Sequence, residues 1–235
     1  QLGSVLENFS ARTPTLAVAP ASIDPASLIT AQDVYGVDPH LWMDVSLWAQ
    51  TLPTLSDALS EARPECATTI ETNTERYQAQ LLALHEWVKE SIASIPEEQR
   101  ILVTAHDAFS YFGRAYDIEV EGIQGISTET ETGIADIRSM ADSVVARNVP
   151  AIFVESTINP RTIQAVIDAA RQRGHDVTIG GQLYSDAMGD EGTVDGTYMG
   201  MIYRNTQHIV EALGGSLAPL PKALDDWASE WQLAQ

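Results

Sequence analysis

Cysteine is almost missing from this 235-residue sequence, where Cys66 stands alone. A single thiol can form no internal disulfide and no multi-cysteine zinc site, and it leaves the redox compartment open. Lysine is equally scarce: Lys89 and Lys222 are the only two among 13 basic residues, set against 33 acidic ones. The formal charge of −20 excludes binding to nucleic acid, which needs cations facing phosphates, and disfavours anionic membrane surfaces. The acidic residues are spread along the chain, as on a solvated surface that attracts cations weakly and without specificity. No apolar run approaches the roughly 18 residues that would mark a membrane span. The start, Gln1-Leu-Gly-Ser, carries neither a basic leader nor an initiator methionine, so the chain reads as a mature product or a fragment. A P-loop lysine, a G-x-G-x-x-G turn and a G-x-S-x-G elbow are all absent, which removes the usual phosphate cradles and the hydrolase serine.

What is present alternates in type. Thr15–Ala19 is a short apolar run that predicts a strand, followed by a loop from Pro20 to Asp38. Leu41, Val45, Trp48 and Leu52 recur at helical spacing, with Pro53 marking a kink or a restart. From Pro64 to Ile95 a single stripe of Cys66, Ile70, Tyr77, Leu81, Leu84, Val88, Ile92 and Ile95 predicts one helix of roughly 45 to 50 Å. Such a helix can run as a spine beside two domains. Beyond it, strands are expected at 101–105, 150–155 and 177–183, and helices at 108–116, 134–147, 160–173, 198–213 and 221–235. Short apolar strands separated by helices favour a parallel sheet covered on both faces.

In such a sheet, functional groups collect where strands end. His106 follows the strand 101–105, Glu155 closes 150–155, and Asp186 follows 177–183, while His40 stands at the entry to the first predicted helix. Two imidazoles and a carboxylate, brought together, would suit zinc or manganese. The spacing alone leaves the alternative that His40 and His106 are helix-entry residues and Asp186 a cap. His85, His175 and His208 read as structural or solvated, and Gly180-Gly181 and Gly189 as flexible turns.

Five stretches carry a family resemblance: Asp38-Pro-His-Leu-Trp-Met-Asp44, Thr104-Ala-His-Asp-Ala-Phe-Ser-Tyr-Phe112, Gly122-Ile-Gln-Gly-Ile-Ser-Thr-Glu129, Phe153-Val-Glu-Ser156 and Leu183-Tyr-Ser-Asp-Ala-Met188. Together, and in this order, they resemble the zinc- and manganese-binding solute-binding proteins of ABC transporters, over about residues 1 to 214. The resemblance implies an α/β protein with two α/β lobes joined by a long rigid helix: a partial N-terminal lobe at 1–63, the linking helix at 64–96, and a C-terminal lobe with a terminal helix at 97–235. It implies that His40 from the first lobe, and His106 and Asp186 from the second, bind the metal, with Glu155 in a supporting place. Manganese-selective relatives typically have glutamate where His106 stands, which favours Zn2+ over Mn2+. The implied partner is an ABC permease in the membrane, served by a monomeric, extracytoplasmic or periplasmic carrier that a preceding segment would anchor to lipid if one exists.

Two departures follow from the same resemblance. The family supplies a further histidine from an earlier loop, and residues 1–39 contain none; either the chain is truncated or the site has three protein ligands and an open position. A histidine-rich loop is also missing, and Thr130-Glu-Thr-Gly133 stands where relatives often have Glu-Pro-Ser. The rigid spine implies movement of ligand loops more than rotation of lobes. Two rival readings remain: a metal-dependent hydrolase using the same cluster, with Glu155 or Asp107 as general base, and a metal-free binding module presenting Trp227 and Trp231.

Overall fold

The computed structural model describes residues 10, 13, 15–30, 36–126 and 132–233. The end of the Gly122–Glu129 motif, and Thr130 and Glu131 of the departing loop, lie outside them. Among the described residues four strands and nine α-helices are placed, and no helix is long and apolar enough to cross a membrane.

The first described helix, α1 (Val18–Ser22), replaces the strand expected at Thr15–Ala19. A strand needs a ladder partner, and among the described residues none pairs with this stretch. The helical pattern from Leu41 is divided by Asp44. Its extended backbone ends a 3₁₀ turn (Leu41–Met43), and its Oδ1 accepts from the N–H groups of Ser46 and Leu47 at 2.9 and 3.3 Å, capping α2 (Val45–Gln50). The chain restarts at α3 (Leu52–Ala62), with Pro53 in its first turn.

The long helix begins as a 3₁₀ turn at Pro64–Cys66 and continues as α4 (Ala67–Ala93), 27 residues or roughly 40 Å. Its stripe is buried only in the C-terminal half, through Leu81, Leu84, Trp87, Val88 and Ile92, whereas Cys66 is exposed. That half packs under α5 (Ser110–Tyr116) and α8 (Tyr198–Ala212) while α2 and α3 also lie against the helix.

Strands β1 (Ile101–His106) and β2 (Glu119–Gln124) pair in parallel, as do β3 (Ala151–Glu155) and β4 (Thr178–Leu183), and β1 packs beside β3. Alternation along β1 sends Ile101, Val103 and Ala105 to a core with α6 (Ile134–Ala146) and α7 (Arg161–Gln172), and Leu102 to the core on α4. The strands thus form two two-stranded parallel sheets, β1–β2 and β3–β4, lying side by side with apolar cores on both faces. The last helix, α9 (Asp225–Glu230), is shorter than expected, and Trp227 is buried against Tyr203 at 5.8 Å rather than presented as a surface.

Strand β2 has no strong sequence signal because Glu119 and Glu121 interrupt it. Both carboxylates are held by Arg147, and Ser143 Oγ donates to Glu121 Oε2 at 2.8 Å, so this polar edge is tied to α6. The Gly180-Gly181 pair, expected as a turn, lies inside β4, where a Cβ on Gly180 would meet the Phe153 ring at 2.6 Å. Gly122 is tighter still: a Cβ there would sit 2.5 Å from the Asp107 nitrogen and 2.8 Å from the His106 carbonyl carbon. Gly122→Ala is therefore expected to cost about 1–3 kcal/mol, read as a lower urea midpoint at unchanged m-value; an unchanged midpoint would show that β2 does not press on the end of β1.

Candidate metal centre

The carboxyl ends of the parallel strands point to one place. His106 is the last residue of β1, Glu155 the last of β3, and Asp186 lies three residues past the end of β4. His40 comes from a distant part of the chain, just before the 3₁₀ turn Leu41–Met43. Donor atoms of His40, His106 and Asp186 lie within 4.8 Å of one another. His40 Nε2 is 3.4 Å from Asp186 Oδ1, and His106 Nε2 is 3.5 Å from Asp186 Oδ2. The two rings meet edge to face, with centroids 5.5 Å apart.

Each imidazole is oriented from behind by a buried carboxylate. Asp38 Oδ1 lies 2.7 Å from His40 Nδ1 and accepts the His40 backbone N–H at 2.9 Å. Glu155 Oε2 lies 2.6 Å from His106 Nδ1, while Oε1 accepts the His106 backbone N–H at 2.8 Å. A carboxylate beside Nδ1 draws the ring proton to that nitrogen and leaves the Nε2 lone pair free for a cation. His106 Nε2 is buried and faces Asp186 Oδ2 at 3.5 Å, too far for a strong hydrogen bond. Glu155 thus supports rather than faces the centre. Asp38, which the sequence placed in a motif but not in a role, does the same for His40; its signal was the Asp-x-His spacing.

The third donor is held differently. Asp186 is the exposed member, its side chain 39% accessible where those of His40 and His106 are 4% and 0%. Buried Asn205 on α8 clamps the chain before it, its Oδ1 accepting Tyr184 N–H at 2.9 Å and its Nδ2 donating to Tyr184 O at 2.8 Å. Trp42 Nε1–H donates to Ser185 O at 3.0 Å from the His40 side. The remaining histidines have other partners: His85 Nδ1 is 3.2 Å from Tyr116 OH, His175 Nε2 is 2.8 Å from Val149 O, and His208 Nδ1 is 2.9 Å from Gln182 O. Both general bases required by the hydrolase reading are engaged, Glu155 by His106 and Asp107 by the Ser110 hydroxyl at 2.7 Å.

Residues 1–212 match the family model ZnuA, described as zinc-uptake complex component A, periplasmic. The chain belongs to this family. It is 41% identical over 213 residues to the manganese-binding lipoprotein MntA of Bacillus subtilis, covering 91% of this chain and 69% of that one. The solved structure of the periplasmic zinc-binding protein TroA from Treponema pallidum superposes with a TM-score of 0.86 at 40% identity, over 90% of this chain and 76% of that one. Fe(III)-bound YtgA from Chlamydia trachomatis matches with a TM-score of 0.74 at 25% identity, over 93% and 73% of the two chains. Family membership makes the chain a solute-binding component of metal ABC transport and not an enzyme, and gives the hydrolase reading no support.

The protonation of the cluster follows from its charges. Burial lowers the His40 pKa, but hydrogen bonds and attraction to Asp186 and Asp38 outweigh it and raise it to about 9. His106 is raised to about 9 in the same way by Asp186 and Glu155. His106 and His40 in turn hold Asp186 well below the ordinary carboxylate range. These shifts describe one shared interaction. A raised histidine pKa stabilises the fold fully below its unfolded value of 6.5, and that contribution is lost as pH climbs through about 9. The depressed Asp186 contributes above 3.8, and its share is lost as pH falls further. Chelator-treated protein should therefore melt at a lower temperature at pH 9 than at pH 6.5, and Asp186→Asn should shrink that difference. An equal pH response in both proteins would contradict this pairing.

Proposed function

We propose that the cargo is a divalent transition metal, zinc in preference to manganese, held by Nε2 of His40, Nε2 of His106 and the Asp186 carboxylate. The single observation that carries the reading is the pair of buried imidazoles whose Nδ1 atoms are each engaged by a carboxylate, leaving both Nε2 atoms turned to Asp186. Two neutral nitrogens and one oxygen suit a borderline ion such as zinc better than the oxygen-rich shells preferred by harder cations. Relatives named for zinc, manganese and ferric iron show that the scaffold alone does not fix the choice; here the imidazole at His106 favours zinc. Three donors complete a tetrahedron only with a further ligand from protein or water.

In this reading the domain division is 1–63, 64–96 and 97–235, with the metal held between the first and third parts by a monomeric carrier outside the cytoplasm. An ABC permease receives the ion. Relatives named as lipoproteins support a membrane tether as the alternative to free diffusion. Binding requires deprotonated imidazoles, so the metal displaces protons and its affinity rises with pH.

Calorimetric titration of zinc and of manganese is expected to give one site per chain with zinc bound more tightly. His106→Ala should weaken zinc by about a hundredfold or more, and Glu155→Gln by about ten- to a hundredfold. Zinc binding to His106→Ala that equals the wild type would remove this site from the account.

A further inference from the structure

Four of the five side chains that shape the centre are fixed from behind. Asp38, His40, His106 and Glu155 are buried and held by hydrogen bonds within the fold. Asp186 differs. Past Ser185, the stretch Asp186, Ala187 and Met188 is exposed, and the next backbone anchor is Gly189, whose N–H donates to Asp195 O at 2.7 Å. Among the described donors, Asp186 is therefore the one with the least anchored backbone.

One bond ties that stretch to the opposite side of the centre. Trp42, two residues beyond His40, donates its indole N–H to Ser185 O at 3.0 Å, and its ring lies edge-on to His40 with centroids 5.3 Å apart. Its own carbonyl accepts from Tyr198 OH at 2.7 Å, and Tyr198 stacks on Trp48 at 5.5 Å, so the indole projects from a braced backbone. Beside it lies a largely apolar cavity of about 320 Å³, lined by Trp42, Trp48, Asp186, Met188, Tyr198 and Met201. This cavity offers room for the Asp186 stretch or the indole to shift without breaking the strand ends. The Asn205 clamp on Tyr184 sets the point about which the stretch can swing.

We infer that Trp42 is a positioning residue for metal release: its hydrogen bond to Ser185 latches the Asp186 loop against the two imidazoles and sets the rate at which the ion leaves. The inference rests on the metal-capture reading and adds to it the residue that gates the site. Trp42 touches no ion. It acts by holding the carbonyl next to Asp186.

The test is Trp42→Phe, which keeps a ring beside His40 and the backbone bond from Tyr198 while removing the indole N–H. Zinc-loaded protein is mixed rapidly with excess EDTA, and association is followed separately with free zinc. Release should accelerate about tenfold, the loss of one hydrogen bond, while association changes less than about twofold. A change shared by both rates, or release within twofold of wild type, would overturn the latch and leave metal capture standing. A second readout needs no metal: amide hydrogen exchange across residues 185–188 of chelator-treated protein should speed up in Trp42→Phe, with exchange in β1 unchanged. If wild type binds no zinc, the capture reading fails, and the exchange measurement alone then decides whether Trp42 restrains the loop; unchanged exchange would overturn that as well.

Discussion

Two buried carboxylates, Asp38 and Glu155, decide what the centre can do. Each takes one imidazole by its Nδ1 and its backbone N–H, which removes both the rotational freedom of the ring and the choice of tautomer. Burying a carboxylate is costly unless it is paired, and these two are paired with the rings they orient. Asp38 is itself fixed across the molecule: its N–H donates to Ile29 O at 2.9 Å and its carbonyl accepts from Tyr111 OH at 3.1 Å, while the same hydroxyl accepts the Ile29 N–H. Tyr111 on α5 therefore locates the His40 turn relative to the strand that delivers His106.

The rest of the fold serves that placement. Parallel strands end at a common level, so His106, Glu155 and the chain leading to Asp186 meet without long loops. The buried C-terminal half of α4 and the rest of that helix pack on α2, which follows the His40 turn, on α5, which follows β1, and on α8, which carries Asn205, so one helix ties together the elements around the donors. Against that rigidity the Asp186 stretch is exposed and sparsely anchored. In the proposed capture, the contrast between two buried nitrogens and one exposed, sparsely anchored oxygen is what would let a carrier bind firmly and let go. The overall charge of −20 raises the local concentration of cations around the molecule without selecting among them.

Much of this was legible in the sequence, for identifiable reasons. His106 and Glu155 close apolar runs that only a buried strand explains, and Asp186 follows another, so strand ends pointed to the residues the structure brings together. The helix α4 declared itself by periodicity, although its stripe is fully buried only from Leu81 onward, its first turns being covered in part. Strand β2 stayed hidden because its glutamates are satisfied by Arg147, a contact between residues 26 and 28 positions apart that no local pattern records. The run at Thr15–Ala19 misled for the opposite reason: its composition suits a strand, but strand formation depends on a partner. The roles of Asp38 and Trp42 were illegible because both depend on which atoms face one another across the centre.

The central claim is that two imidazole nitrogens and the Asp186 carboxylate together hold the cargo ion. X-ray absorption at the zinc edge of the one-to-one complex tests it most directly. The account predicts outer-sphere scattering from two imidazole rings, a nearest shell of nitrogen and oxygen at about 2.0–2.1 Å, and no sulfur; in Asp186→Asn that shell should rearrange while the imidazole scattering stays. A shell of oxygen alone, or a sulfur contribution, would contradict it.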